Sequence, residues 1–198
     1  MELIFASHNQ NKVKEINALL GEGFTVKSLS DIAYTEDIIE DGATLEANAL
    51  IKARTIYKHT QKNCFADDTG LLVAALNDAP GVYSARYAGA QKNDSDNMDL
   101  LLKNLATETD RSAKFVTMIA LIIEGKEFLF EGTLHGNIIT EKIGSNGFGY
   151  DPVFMPVDLN RTLAQMELSE KNTISHRARA FDKMKTFLHQ NYQTNTAL

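Results

Sequence analysis

Asp67 and Asp68 stand side by side after the apolar run Cys64-Phe65-Ala66 and before Thr69-Gly70. Two carboxylates at the end of a core strand are costly to desolvate unless a cation or hydrogen bonds compensate. The pair therefore suits a divalent metal, and the structural alternative is a solvated Asp-Asp-Thr-Gly turn, which Gly70 permits. Three other segments gather polar groups. Ser7-His8-Asn9-Gln10-Asn11-Lys12 lies between a strand and a helix, where backbone N–H groups, a hydroxyl and the Lys12 charge can face an anion. It lacks the glycines and the Gly-Lys-Ser/Thr ending of a phosphate-binding P-loop, and an ordinary N-cap with an exposed lysine is the alternative. Gly144 to Pro152 sets three glycines around Phe148 and Tyr150, which lets backbone approach a flat ligand while a ring stacks on it. A tight turn with packed aromatics would look the same. Lys171, His176 and Arg177 gather at the expected start of the last helix, where cations oppose the helix dipole. That cost points to an anionic or carbonyl-bearing ligand, or else to exposed charges on a helix face.

The elements that must hold these groups follow from periodicity. Leu3 to Ala6 reads as a strand, and Val13, Ile16, Leu19 and Leu20 as the buried stripe of a helix stopped by Gly21 and Gly23. Thr25 to Leu29 is a second strand, followed by an acidic loop from Asp31 to Gly42 and a helix from about Thr44 to His59. Leu71 to Leu76 fits a strand or a short helix, and Asn77 to Gly81 a turn. A third helix begins near Asp94, and Ala113–Ile123 and Glu127–Leu134 form a hairpin through Glu124-Gly125-Lys126. The last helix is expected to carry Ile174, Ala178, Phe181, Met184 or Lys185, Leu188 and Tyr192. Strand, loop and helix at both ends with a hairpin between them predicts a mixed α/β protein, and every polar motif falls at a junction.

Composition excludes several classes. A chain of 198 residues with 43% hydrophobic residues suits one large domain or two lobes around one cleft. It has no apolar run of about 18 residues for a membrane span, and a net charge of −6 argues against a broad nucleic-acid surface. Met1 to Ser7 lacks a signal-peptide pattern, and the single cysteine, Cys64, fits a buried strand position in a reducing compartment, so a cytoplasmic location is expected.

Together the motifs resemble those of the inosine triphosphate pyrophosphatase family. The resemblance runs in order through Ser7–Lys12, Asp41–Ala49 with Lys52-Ala53-Arg54, Ala66–Leu71, Ala79–Tyr87, Gly147–Pro152 and Ile174–Arg177, which covers essentially the whole chain. It implies a single domain over 1–198 with two lobes around a nucleotide cleft, a long central sheet and a homodimer. It implies hydrolysis of dITP, ITP and XTP to the monophosphate and pyrophosphate with Mg²⁺. By the same resemblance the segment Ser7, His8, Asn9, Gln10, Asn11 and Lys12 binds the triphosphate, with Ser7, Asn9 and Lys12 foremost. Glu40 and Asp68 hold magnesium, and Asp68 also corresponds to the general base. Thr69 occupies the family's usual serine position and keeps a hydroxyl. Phe148, Gly149, Tyr150 and Asp151 with Lys171, His176 and Arg177 correspond to the base pocket. Ala47 stands where relatives often carry glutamate, beside Glu46.

The chemistry is self-consistent. A net acidic protein needs a cation and lysines to accept a triphosphate, and carboxylates suit a hard cation that keeps several waters. Other functions use part of the same set. A nucleotide-binding regulator would release no pyrophosphate, a phosphatase acting on monoesters would release orthophosphate, and a structural protein would bind no nucleotide.

Overall fold

The computed structural model describes residues 1–19 and 23–192, so the expectations for Leu20 and Gly21 fall outside the described residues. The elements among them are β1 (Glu2–Phe5), α1 (Gln10–Leu19), β2 (Thr25–Ser28), α2 (Leu45–Thr60), β3 (Cys64–Val73), β4 (Pro80–Gly81), α3 (Asp94–Asn104), β5 (Ser112–Ile123), β6 (Lys126–Ile138), β7 (Phe154–Pro156), α4 (Leu168–Ile174) and α5 (His176–Tyr192). The protein is mixed α/β, with parallel and antiparallel pairs in one sheet. The chain divides into two compact units. The first comprises Met1–Asp68, Thr117–Gly132 and the chain from Arg177, and the second Thr69–Val116 and Thr133–His176.

In the first unit β1 pairs in parallel with β2 and with β3, Leu3 opposite Val26 and Phe5 opposite Phe65. Successive side chains point to opposite faces of a strand, so this sheet has two apolar faces. Leu3, Phe5, Phe65 and Leu121 pack with Ile16 of α1 and Phe181 of α5. Ile4, Ala6, Ala66 and Ile122 pack with Ala49 and Ile56 of α2. Cover on both faces explains why Leu3–Ala6 and Cys64–Ala66 read as continuous apolar runs rather than alternating ones. Cys64 is buried here, its thiol donating to the Ala53 carbonyl at 3.3 Å, and burial pushes it up to about 12, which leaves it inert. The β5–β6 turn places Glu124 and Gly125 at φ 51° and 77°, the left-handed pair that matches strand twist in a two-residue hairpin.

In the second unit β4 runs antiparallel to β3 and β7 antiparallel to β6, over a core that includes Leu71, Met98, Leu101, Phe115, Leu134 and Phe154. The ambiguous stretch from Leu71 is both things in turn: strand to Val73, then one 3₁₀ turn over Ala74–Leu76. Strand β6 runs past the expected Leu134 to Ile138, because the alternation of buried residues continues through Gly136 and Ile138.

The single last helix expected from the sequence is two helices. Ser175 adopts an extended conformation (φ −63°, ψ 152°) that ends α4, and α5 starts at His176. Ile174 accordingly packs on the core of the second unit, whereas Phe181 and Leu188 belong to the first. No helix among the described residues is long and apolar enough to cross a membrane.

Candidate active site

Strand β3 delivers Asp67 and Asp68 in opposite directions, and their surroundings divide them. Asp67 is fully buried; Lys12 Nζ donates to its Oδ1 (2.9 Å) and Arg177 Nε to its Oδ2 (3.0 Å). Arg177, itself buried, also pairs through Nη1 with the buried Glu15 of α1. Burial alone would raise the Asp67 carboxyl, but Lys12, Arg177 and Lys52 hold it well below the usual carboxylate range. Lys12 is pulled down by its own burial, with Asp67 working against that shift. Asp68 behaves oppositely. Burial raises it, Glu40 adds to the rise, and Lys52, Lys12 and the Asn48 hydrogen bond only partly offset it. Neighbouring carboxylates whose proton affinities are driven apart are the arrangement in which one remains a fixed anion while the other can exchange a proton.

Helix α2 supplies the groups around Asp68. Thr44 caps it, accepting the Ala47 N–H at 3.1 Å, and its sheet-facing stripe of Ala49, Ala53 and Ile56 is interrupted by two buried polar residues, Asn48 and Lys52. Asn48 Nδ2 donates to Asp68 Oδ2 (3.1 Å); Lys52 Nζ donates to Glu40 Oε2 (2.6 Å) and lies 3.6 Å from Asp68 Oδ1. Glu40, in the acidic loop expected from the sequence, is thus brought to the same ammonium as Asp68. Sequence reasoning assigned no role to Asn48, Lys52 or Glu15. The available signal for the first two was their four-residue spacing on a stripe otherwise meant for the core.

At the start of α1, Asn9 Oδ1 accepts the N–H groups of Asn11 (2.9 Å) and Lys12 (3.3 Å), and Ser7 Oγ accepts the Asn9 N–H (3.3 Å). The N-cap alternative therefore describes the backbone here, and the anion-facing charge is the Lys12 side chain, turned toward Asp67. Ser7 is half-buried, and Asn9, Gln10 and Asn11 are exposed. His8 is exposed, donates from Nε2 to the Glu36 carbonyl (2.9 Å) and stacks on Tyr34.

The second unit holds the other expected residues. Asp151 Oδ2 accepts both the Phe148 N–H (3.0 Å) and Lys171 Nζ (2.5 Å), and the Lys171 ammonium lies 5.1 Å from the centre of the Phe148 ring. Asp94, opening α3, accepts the Gly149 N–H at 2.8 Å. Tyr150 donates its hydroxyl to the Ser84 carbonyl (2.8 Å), and His176 stacks on Phe115 at 4.7 Å. Gly147 has no substitute: at φ +75° a Cβ would sit 2.0 Å from Asp151 Oδ2. Thr69 is half-buried at the first position of this unit. Because α4 ends at Ser175, Lys171 lies in the last turn of a helix rather than at the start of one, and the dipole there favours a cation instead of opposing it. Arg177 does begin a helix, and there the buried carboxylates of Asp67 and Glu15 neutralise it.

Among the described residues no three His, Cys, Asp or Glu side chains converge as a metal cage. Mg²⁺ does not need one, because it takes one or two carboxylates, substrate phosphate oxygens and waters. Glu40 and Asp68 fit that demand: two hard oxygen donors already gathered round one positive charge, that of Lys52.

The family model described as the Ham1 family matches residues 3–187. A dITP/XTP pyrophosphatase of Flavobacterium psychrophilum is 52% identical over 180 residues, spanning 91% of this chain and 95% of that one. One of Bacillus licheniformis is 50% identical over 193 residues, spanning 96% and 98%. The solved Ham1 protein of Staphylococcus aureus superposes with a TM-score of 0.87 at 40% identity, covering 96% of this chain and 99% of its own. With a match that runs nearly end to end and relatives aligned over almost their whole lengths, the chain belongs to the Ham1 family.

Proposed function

We propose that this protein hydrolyses dITP, ITP and XTP to the nucleoside monophosphate and pyrophosphate, clearing non-standard purines from the nucleotide pool. Relatives about half identical in sequence carry the name dITP/XTP pyrophosphatase. The observation that carries the chemistry is Asp68, a buried carboxylate of raised proton affinity held between Asn48 and Lys52 beside Glu40. Asp68 orients a water and takes its proton as the water oxygen bonds to the α-phosphorus; the bond from that phosphorus to the bridging oxygen breaks, and pyrophosphate leaves. Lys12 and Lys52 offset charge on the phosphates. Bound Mg²⁺, held by Glu40 and Asp68, would supply Lewis-acid stabilisation of the same charge. The second unit's Phe148 loop, with Lys171 and His176, takes the purine. Magnesium dependence and a homodimer belong to the same proposal and are supported by the family resemblance; a cytoplasmic location belongs to it too, supported by the N-terminal sequence and the single cysteine. The deciding assay is a panel of nucleotides with Mg²⁺, measured separately for pyrophosphate and orthophosphate. Orthophosphate release alone, or no release, refutes the proposal.

Two variants probe the assignments. Glu40→Gln removes one anionic donor, so the Mg²⁺ concentration giving half-maximal rate should rise by about tenfold or more. A surface charge would change little, and an unshifted magnesium titration returns Glu40 to that status. Phe148→Leu removes the ring proposed to stack on the base. Stacking is worth roughly 1 to 3 kcal/mol, so KM should rise roughly 5- to 150-fold for every accepted nucleotide. A fall in thermal stability with KM unaltered would make Phe148 a packing residue of its loop.

A further inference from the structure

Asn48 is 1% exposed, on the sheet-facing side of α2 one turn before Lys52. Its amide nitrogen donates to Asp68 Oδ2 (3.1 Å) and its amide oxygen accepts the Gly42 N–H (2.8 Å). A backbone N–H can only donate and an ionised carboxylate only accept, so the two bonds together fix which end of the amide faces which partner. Lys52 makes a parallel connection, 2.6 Å from Glu40 Oε2 and 3.6 Å from Asp68 Oδ1. Each oxygen of Asp68 is met by a different side chain of α2, and each of those side chains also grips the 40–42 segment. Gly42 is fitted to this arrangement, since a Cβ there would lie 2.7 Å from Asn48 Oδ1 and 2.8 Å from the Ala47 Cβ.

The two connections respond differently to added positive charge. An ammonium is repelled by a divalent cation at the same carboxylates, whereas a neutral amide carries no net charge to repel. We infer that Asn48 is a positioning residue, which holds the Asp68 carboxylate in orientation and ties the Glu40-bearing segment to it whichever cation those carboxylates hold. The inference rests on the pyrophosphatase function proposed for this site, and Asn48 acts through Asp68 and Gly42 rather than on the reacting atoms.

Amide hydrogen exchange of the 40–43 segment, measured without metal or nucleotide, is combined with steady-state kinetics on ITP and Mg²⁺. Asn48→Ala removes both bonds. Exchange at Gly42 should quicken by about fivefold, the equivalent of one net hydrogen bond. In the same variant kcat should fall by about tenfold or more with KM for ITP within about twofold, the pattern of an interaction that matters in the transition state. Asn48→Asp keeps an acceptor for the Gly42 N–H but sets a carboxylate against Asp68, so exchange at Gly42 should stay near wild type while kcat still falls. Unchanged Gly42 exchange in Asn48→Ala, or unchanged kcat in Asn48→Asp, overturns the inference. A lowered unfolding temperature with full kcat in the folded fraction would mark Asn48 as structural only. Should Asn48→Ala fail to fold, the near-isosteric Asn48→Asp still decides. If the wild-type protein released no pyrophosphate from ITP, the proposed function would fall, and the exchange data alone would decide whether Asn48 tethers Gly42.

Discussion

Asp68→Asn is expected to lower kcat by roughly 10²- to 10⁴-fold, the range for loss of a positioned general base, while the folded protein still binds nucleotide. The substitution keeps the side chain's size and can still offer an oxygen to Asn48 Nδ2, but it removes the group that accepts the proton. Asp67→Asn is the matched control, because it sits one residue away with a different environment. Both Asp67 oxygens are engaged by Lys12 and Arg177, so neutralising it leaves the buried Arg177 and the half-buried Lys12 short of a counter-charge, a loss of about 3–5 kcal/mol in stability. Its effect should therefore appear in the urea midpoint, with a milder loss of kcat in the protein that remains folded. Rates measured at saturating nucleotide on folded protein separate the two. Equal losses of kcat, or a near-wild-type Asp68→Asn, would remove Asp68 from the role of base.

ITP and XTP should be hydrolysed far faster than ATP, by as much as roughly 10⁴-fold in kcat/KM if the pocket donates to purine position 6. Hypoxanthine and xanthine present a carbonyl acceptor there, and adenine an amino donor. A protein donor that meets another donor is left unpaired, at about 1–3 kcal/mol for each buried group. The N–H groups of Phe148 and Gly149 donate to Asp151 and Asp94, and the side-chain donors proposed for position 6 are Lys171 and His176. GTP retains the 6-carbonyl and adds a 2-amino group, so it separates recognition of position 6 from exclusion at position 2. Comparing kcat/KM for ITP, XTP, GTP and ATP at one magnesium concentration decides the matter, and an ITP to ATP ratio near one sinks it.

What could be read from the chain alone was local. Leu3–Phe5, the stripe of α1 and the Glu124-Gly125 turn announce themselves through period and turn chemistry, and Asp67-Asp68 through two charges where a core strand should have none. Side chains whose partners lie far along the chain were not legible. Nothing near Glu15 points to Arg177, 162 positions away, and nothing near Asp67 shows that it and Asp68 would meet different cations. The break at Ser175 was hidden because apolar residues continue at helical spacing across it, Ile174 serving one core and Ala178 and Phe181 another. Periodicity records that a residue is buried, not which core buries it.

The buried Glu15, Asp67 and Arg177, with the half-buried Lys12, also constrain how this sequence can change. Two cations and two anions, drawn from α1, β3 and α5, cancel one another inside the protein. Any single neutral replacement leaves a net charge among side chains that are mostly shut away from water, whereas a replacement of cation and anion together does not. Viable sequence paths through these positions therefore run in pairs, and a library that varies them one at a time would score each as intolerant while missing the combinations that fold.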